Sequence, residues 1–178
     1  MTREELEHAI RAACDISGDD ELWVFGSQSI LGECPEAPEA LRASIEVDVA
    51  PKNLPDQVDA IDKELGELSM FHSTHGFYVH GVSIEAATLP EGWRDRVHAV
   101  SSAQTTNDNT GYCLESHDLA ASKLKAFREK DREFVRTLLV EEMIEPATLK
   151  DRIKTLAIEE SLRGVLLKWV DDIVALLG

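Results

Sequence analysis

Basic residues are scarce in this chain of 178: 18 Lys and Arg stand against 34 Asp and Glu, a formal net charge of −16. Nonspecific nucleic-acid binding relies on a cation-rich face, so the chain as a whole is poorly suited to it. Cysteine is rare too. Cys14, Cys34 and Cys113 are scattered, odd in number and without a Cys-x-x-Cys pair, which points to a reducing compartment rather than a disulfide frame. No apolar run approaches a membrane span, and the opening MTREELEHAI is charged and amphipathic rather than signal-like. These absences predict a cytoplasmic protein that does not bind membranes. What remains is an ordinary globular composition, 43% hydrophobic and 29% charged, enough for one domain with a small helical appendage.

The chain divides into an α+β part and a helical part. TREELEHAIRAACDIS places Leu6, Ile10 and Ala13 at helical spacing behind a Thr-x-x-Glu capping box, which predicts a first helix. ELWVFG reads as a short buried strand, and SIEVDVAP alternates as a second strand ended by Pro51. A helix follows from near Pro55, then strands in GFYVHGVSIEAATLP and WRDRVHAVSS. From Ser116 the pattern is helical in four stretches: 116–127, 130–143, 146–157 and 160–177. The polar SSAQTTNDNTGY suits a linker or exposed loop, giving an α+β core over residues 1–110 and a helical bundle over 111–178.

Three stretches carry chemistry. In LWVFGSQSILG an apolar strand meets Gly26 and Ser27 and then an apolar helical turn. Such a turn presents backbone N–H groups and a hydroxyl to an anion. In SIEVDVA, Ile45, Val47 and Val49 share one strand face, while Glu46 and Asp48 share the other, roughly 7 Å apart at Cα. Those acids are either an ordinary wet face or a pair converging on a hard cation such as Mg²⁺. In SHDLAASKLKAF, Lys123 falls on the apolar stripe, and Asp131 does so in the next helix. They are either an interhelical ion pair or groups held for use, because an unpaired buried charge is costly.

Taken together, FGSQSILG, SIEVDVAP and HDLAASKLKAFREKDREFV, spanning Phe25 to Val135, resemble nucleotidyltransferases of the DNA polymerase beta type. Within that type the chain resembles the minimal nucleotidyltransferases related to AbiEii-type toxins. The resemblance implies an N-terminal mixed sheet flanked by helices, followed by a C-terminal helical bundle. It implies that Gly26 and Ser27 meet the nucleotide phosphates, that Glu46 and Asp48 hold Mg²⁺, and that Lys123 reaches the triphosphate. Asp131 would anchor Lys123 or contact nucleotide or acceptor. The implied reaction is nucleotidyl transfer from an NTP to a hydroxyl of a tRNA-like RNA or a protein, in a toxin-like protein with an antitoxin or a second copy as partner. The alternative is a catalytically silent relative that binds a nucleotide or a protein.

The chain departs from the family pattern at Glu46, where many active members carry Asp. A third carboxylate is common on a neighbouring strand, and Glu85 is available for it or is a plain strand-face residue. An RNA acceptor requires Lys123, Lys125, Arg128, Lys130 and Arg132 to share one face. His72, His75 and His80 lie close in FHSTHGFYVH and read either as strand-edge histidines or, less readily because no carboxylate or cysteine pattern in the sequence completes the set, as a metal site. Trp93 reads as a loop anchor. The last helix, with Leu162, Val165, Leu166, Trp169, Ile173 and Leu176 along one side, either covers the core or contacts a partner.

Overall fold

The structure is a computed structural model and describes residues 1–177. The chain forms two compact units: residues 1–86 with 97–115, and residues 87–96 with those from 116 onward.

The first unit is built on a mixed five-stranded sheet in the order β3-β2-β1-β5-β4. Its strands are β1 (Glu21–Phe25), β2 (Glu46–Pro51), β3 (Tyr78–Gly81), β4 (His98–Ser101) and β5 (Thr110–Cys113). The β1–β2 and β4–β5 pairs are antiparallel, while β1–β5 and β2–β3 are parallel. Leu22, Val24, Val47, Val49, Val79, Val100 and Cys113 alternate onto one face and are buried. Helices α1 (Arg3–Ser17), α2 (Ile30–Glu33) and α4 (Val58–Leu65) pack on this unit's sheet, and α3 (Glu39–Arg42) and α5 (Met70–His75) complete the unit. The α1 helix begins as its sequence dictates: the Thr2 hydroxyl accepts from the Glu5 N–H, and the Glu5 carboxylate accepts from the Thr2 N–H. Leu6, Ile10 and Ala13, its predicted stripe, are buried.

Two expectations change here. Of the two readings of 101–112 the exposed loop is the one found: the stretch holds the β4–β5 connection and most of β5, so the sheet unit runs through residue 115. Gly111 explains why β5 is hard to see: an added Cβ would lie 2.5 Å from Ile10 Cδ1, so the position carries no hydrophobic side chain to read. The strand expected across 76–90 is short. β3 stops at Gly81, and Ile84–Ala86 form a turn closed by the Ala86 N–H donating to the Ser83 carbonyl at 3.0 Å.

The second unit is helical: α6 (Ser116–Ala126), α7 (Glu129–Val140), α8 (Pro146–Lys154) and α9 (Glu160–Leu177). Leu119, Leu124, Phe134, Val135, Leu138, Leu149, Ile153, Leu166 and Val170 form its core, each worth about 1.5–3 kcal/mol of burial relative to exposure. Asp118 is fully buried within it. Arg96 grips that carboxylate from two nitrogens at 2.8 and 2.9 Å, and Arg152 lies 3.1 Å away. The fold is thus α+β, a mixed sheet flanked by helices with C-terminal helices. No described helix is long and apolar enough to cross a membrane.

On the second face of the sheet, Glu21 accepts from the Tyr112 hydroxyl at 2.6 Å, from Lys52 Nζ at 3.0 Å and from Asn53 Nδ2 at 3.2 Å. The Tyr112 hydrogen bond foremost, then those of Asn53 and Lys52, hold the Glu21 carboxyl down at about 2 against a usual 4.5, with burial opposing weakly. A depressed folded-state value means that the stabilisation is complete above 4.5 and is lost as pH falls through about 2. Tyr112→Phe is therefore expected to lower stability near neutral pH, with a deficit that shrinks on acidification below 4.5. Urea unfolding at several pH values checks this, and a deficit that stays constant down to pH 2 would refute it.

Candidate functional site

Register, more than any single residue, assembles the site. Across the β1–β2 pair Phe25 faces Asp48, and across β2–β3 Glu46 faces Tyr78 while Asp48 faces His80. Directly opposed residues share a sheet face, so Glu46, Asp48 and His80 project together from the side away from α1 and α4. His80 Nδ1 lies 3.1 Å from Asp48 Oδ1 and 3.3 Å from Glu46 Oε1. The three groups offer ligand atoms within 4.8 Å of one another, the one such metal-holding group among the described residues. Tyr78 hydrogen-bonds Glu46. Its hydroxyl is pushed up by burial first, then by the charges of Glu46, Glu67 and Asp48.

Gly26 borders this group. Its φ of 70 and ψ of −171 lie in a region open essentially to glycine alone. An added Cβ would collide with Asp48 Oδ2 and come within 3.0 Å of Asp48 Cγ. Ser27 opens a 3-10 turn, Ser27–Ser29, that runs into the four-residue α2. The helix expected after Gly26-Ser27 is therefore little more than a turn, and its dipole is correspondingly small. The turn is pinned by the Ser29 hydroxyl donating to the Gly26 carbonyl at 3.0 Å. Gln28 behind it is fully buried, and neither its amide nitrogen nor its amide oxygen has a hydrogen-bond partner among the described residues.

Lys123 and Asp131 belong to the helical unit, where the Phe127 turn between α6 and α7 brings them together. Phe127 takes a φ of 51, unusual for a bulky residue. It is braced by Trp169 at 6.3 Å between ring centroids and by the Arg132 guanidinium 5.0 Å from its ring. Asp131 is buried. It accepts from Arg128 Nε at 2.6 Å and lies 3.7 Å from Lys123 Nζ, which also sits 4.6 Å from the centre of the Phe134 ring. The apolar-stripe positions of Lys123 and Asp131 thus correspond to a charge group with Arg128 as a third member. Lys125 and Lys130 are exposed, but Lys123 and Arg128 turn to Asp131 and Arg132 to Phe127. The basic side chains of this stretch are thus split among different partners.

Glu85, read either as a third acid or as a plain strand-face residue, is exposed in the turn after β3 and takes no part in the acidic group. His80 is the residue that lies beside Glu46 and Asp48. The signal for it was present in the sequence: Tyr78-Val79-His80 alternates as Glu46-Val47-Asp48 does, and parallel pairing in register aligns the two. His72 and His75 go elsewhere, His72 to the Tyr78 ring at 5.0 Å and His75 to the His8 ring at 4.5 Å. Trp93 is buried in the helical unit, beneath the Arg94 guanidinium at 4.6 Å.

A mixed sheet with a Gly-Ser turn at the end of one strand and paired acids on the next is the architecture of a nucleotidyltransferase-like protein. The chain belongs to the family described as nucleotidyltransferase of unknown function (DUF6036), whose model matches residues 4–174. No curated protein and no solved structure matched it.

Gly26→Ala is expected to cost about 1–3 kcal/mol of strain from the glycine-only conformation, and more once Asp48 must move aside. Its loss should exceed that of Gly76→Ala, where φ is 77 but an added Cβ meets nothing within 4 Å. Equal urea midpoints for the two variants would disprove the close approach. Gln28→Met, which removes the unpaired amide while roughly keeping its length, is expected to stabilise by about 1–3 kcal/mol. A lowered thermal midpoint would show the amide to be paired in solution.

Proposed function

We propose that the protein is a divalent-cation-dependent nucleotidyltransferase acting on an NTP and a hydroxyl acceptor. The observation that supports this most is the convergence of Glu46 and Asp48 beside Gly26, in a chain belonging to a nucleotidyltransferase family. The donor chemistry fits a cation: two carboxylates offer hard oxygen ligands, and Gly26 leaves the Asp48 carboxylate room that a Cβ would fill. When bound, Mg²⁺ or a similar cation would neutralise charge developing on the transferred phosphoryl group.

In this reading Glu46 and Asp48 hold the cation and Tyr78 orients Glu46. Gly26 and Ser27 face the phosphates with backbone N–H and hydroxyl. The resemblance assigns the triphosphate to Lys123, which Asp131 and the Phe134 ring keep in place within the helical unit. The acceptor oxygen forms a bond to the α-phosphorus as the bond to the bridging oxygen of the β-phosphate breaks. Pyrophosphate leaves, and the hydroxyl proton passes to solvent or a nearby carboxylate. A tRNA-like or protein hydroxyl as acceptor, a toxin-like role related to AbiEii-type proteins, and an antitoxin or second copy as partner are what the resemblance implies.

A second reading is a silent nucleotide-binding relative, favoured by the contact of His80 with both carboxylates, which supplies them with an internal partner. Pyrophosphate release from each NTP, assayed with and without divalent cation, separates the two. Asp48→Asn is expected to lower turnover by at least about a hundredfold, the scale of losing an essential electrostatic group, with its circular dichroism spectrum unchanged. Turnover indifferent to that substitution would eliminate the enzymatic reading. Cation-dependent NTP binding without turnover would establish the silent one.

A further inference from the structure

We infer that His80 is the third ligand of the cation site and that it tilts the site toward Mn²⁺ over Mg²⁺. This rests on the reading of Glu46 and Asp48 as cation ligands. His80 Nδ1 is 3.1 Å from Asp48 Oδ1 and 3.3 Å from Glu46 Oε1, so one nitrogen lies beside both carboxylates, and the three groups offer ligand atoms within 4.8 Å of one another. Bonds of roughly 2.1–2.2 Å at right angles place neighbouring ligands roughly 3.0–3.1 Å apart, close to these spacings. The fold puts the imidazole on the carboxylates' side: β2–β3 pairing sets His80 directly opposite Asp48 on the same sheet face.

The donor set then decides the metal. Mg²⁺ prefers an all-oxygen octahedron and gains little from imidazole, whereas first-row transition ions bind imidazole well. Mn²⁺ joins that tolerance to a taste for carboxylate and phosphate oxygens, which the proposed reaction requires. Replacing a third carboxylate by a neutral ring also leaves the site less negative, which weakens a purely electrostatic grip on Mg²⁺ more than a partly covalent one on Mn²⁺. Glu46, with its longer reach than Asp, can adjust to the position that His80 sets. Tyr78 limits that freedom by its hydrogen bond to Glu46. His72 and His75 do not compete as ligands, since their rings pack on Tyr78 and His8.

The test uses the full chain freed of metal with a chelator. Mn²⁺ binding is followed by electron paramagnetic resonance and Mg²⁺ by calorimetric competition, for the wild type, His80→Asp and Asp48→Asn. Wild-type protein should bind Mn²⁺ more tightly than Mg²⁺, and His80→Asp should narrow that ratio by on the order of tenfold. Electron spin-echo modulation from a coordinated ¹⁴N should appear in the wild-type Mn²⁺ complex and vanish in His80→Asp. This signature is read on wild-type protein and does not depend on the variant folding. Asp48-dependent Mn²⁺ binding without ¹⁴N modulation would overturn the role of His80 and leave the nucleotidyltransferase reading intact. No Asp48-dependent binding of either cation would overturn both.

Discussion

The Asp48 carboxylate lies against the bare Cα of Gly26, and much else in the sheet unit follows from that contact. It requires β1 and β2 to pair antiparallel in a register that sets Phe25 opposite Asp48. A slip of one residue would turn Glu46 and Asp48 into the core and Val47 and Val49 out to the far face. The four buried valines and leucines of β1 and β2, together with α1 and α4 packed behind them, hold the register by making that slip prohibitively costly. Apolar burial on one side of the sheet thus fixes the chemistry on the other.

Both units keep carboxylates at places where desolvation would penalise them, and each does so in its own way. In the helical unit the buried acids are surrounded by cations: Asp118 by Arg96 and Arg152, Asp131 by Arg128 and Lys123. Removing one partner from such a group costs more than the pair contributes, because it strands a charge in a poor dielectric. In the sheet unit Glu46 and Asp48 are only half-buried, and the nitrogen they share belongs to a histidine, a ligand that cations can exploit as well as a partner that protons can charge. The first arrangement is fixed architecture. The second is suited to exchange.

The strongly periodic parts of the chain were legible in the sequence. The capping box of α1, the alternation of β2 and the four C-terminal helices announce themselves through side chains that repeat with a backbone period. What escaped was structure defined by absence or by pairing. β5 offers Thr-Gly-Tyr-Cys, with its inward position vacated by Gly111 for Ile10, so no hydrophobic alternation marks it. In the sheet unit Gly26, Glu46 and Asp48 were visible as a motif, and in the helical unit Lys123 with Asp131 as misplaced charges on apolar stripes. His80 was visible as a residue but not as a neighbour, because its proximity to Asp48 comes from a parallel pairing between strands 32 residues apart. Glu85 was the reverse case, a suitable residue carried away from the site by the turn after Gly81.

The path of the chain through its two units bears on how such a protein could have been assembled. The polypeptide leaves the sheet unit after residue 86, contributes residues 87–96 to the helical unit, returns, and leaves again after residue 115. Arg96, at the end of that excursion, is one of the two arginines holding Asp118. The helical unit is therefore not a cassette appended to a finished sheet unit. A recombination event joining foreign helices after the last strand would leave Arg96 without its carboxylate, and one removing the excursion would leave Asp118 half-clasped. The interleaving ties the buried charge group of the helical unit to two separate stretches of the chain.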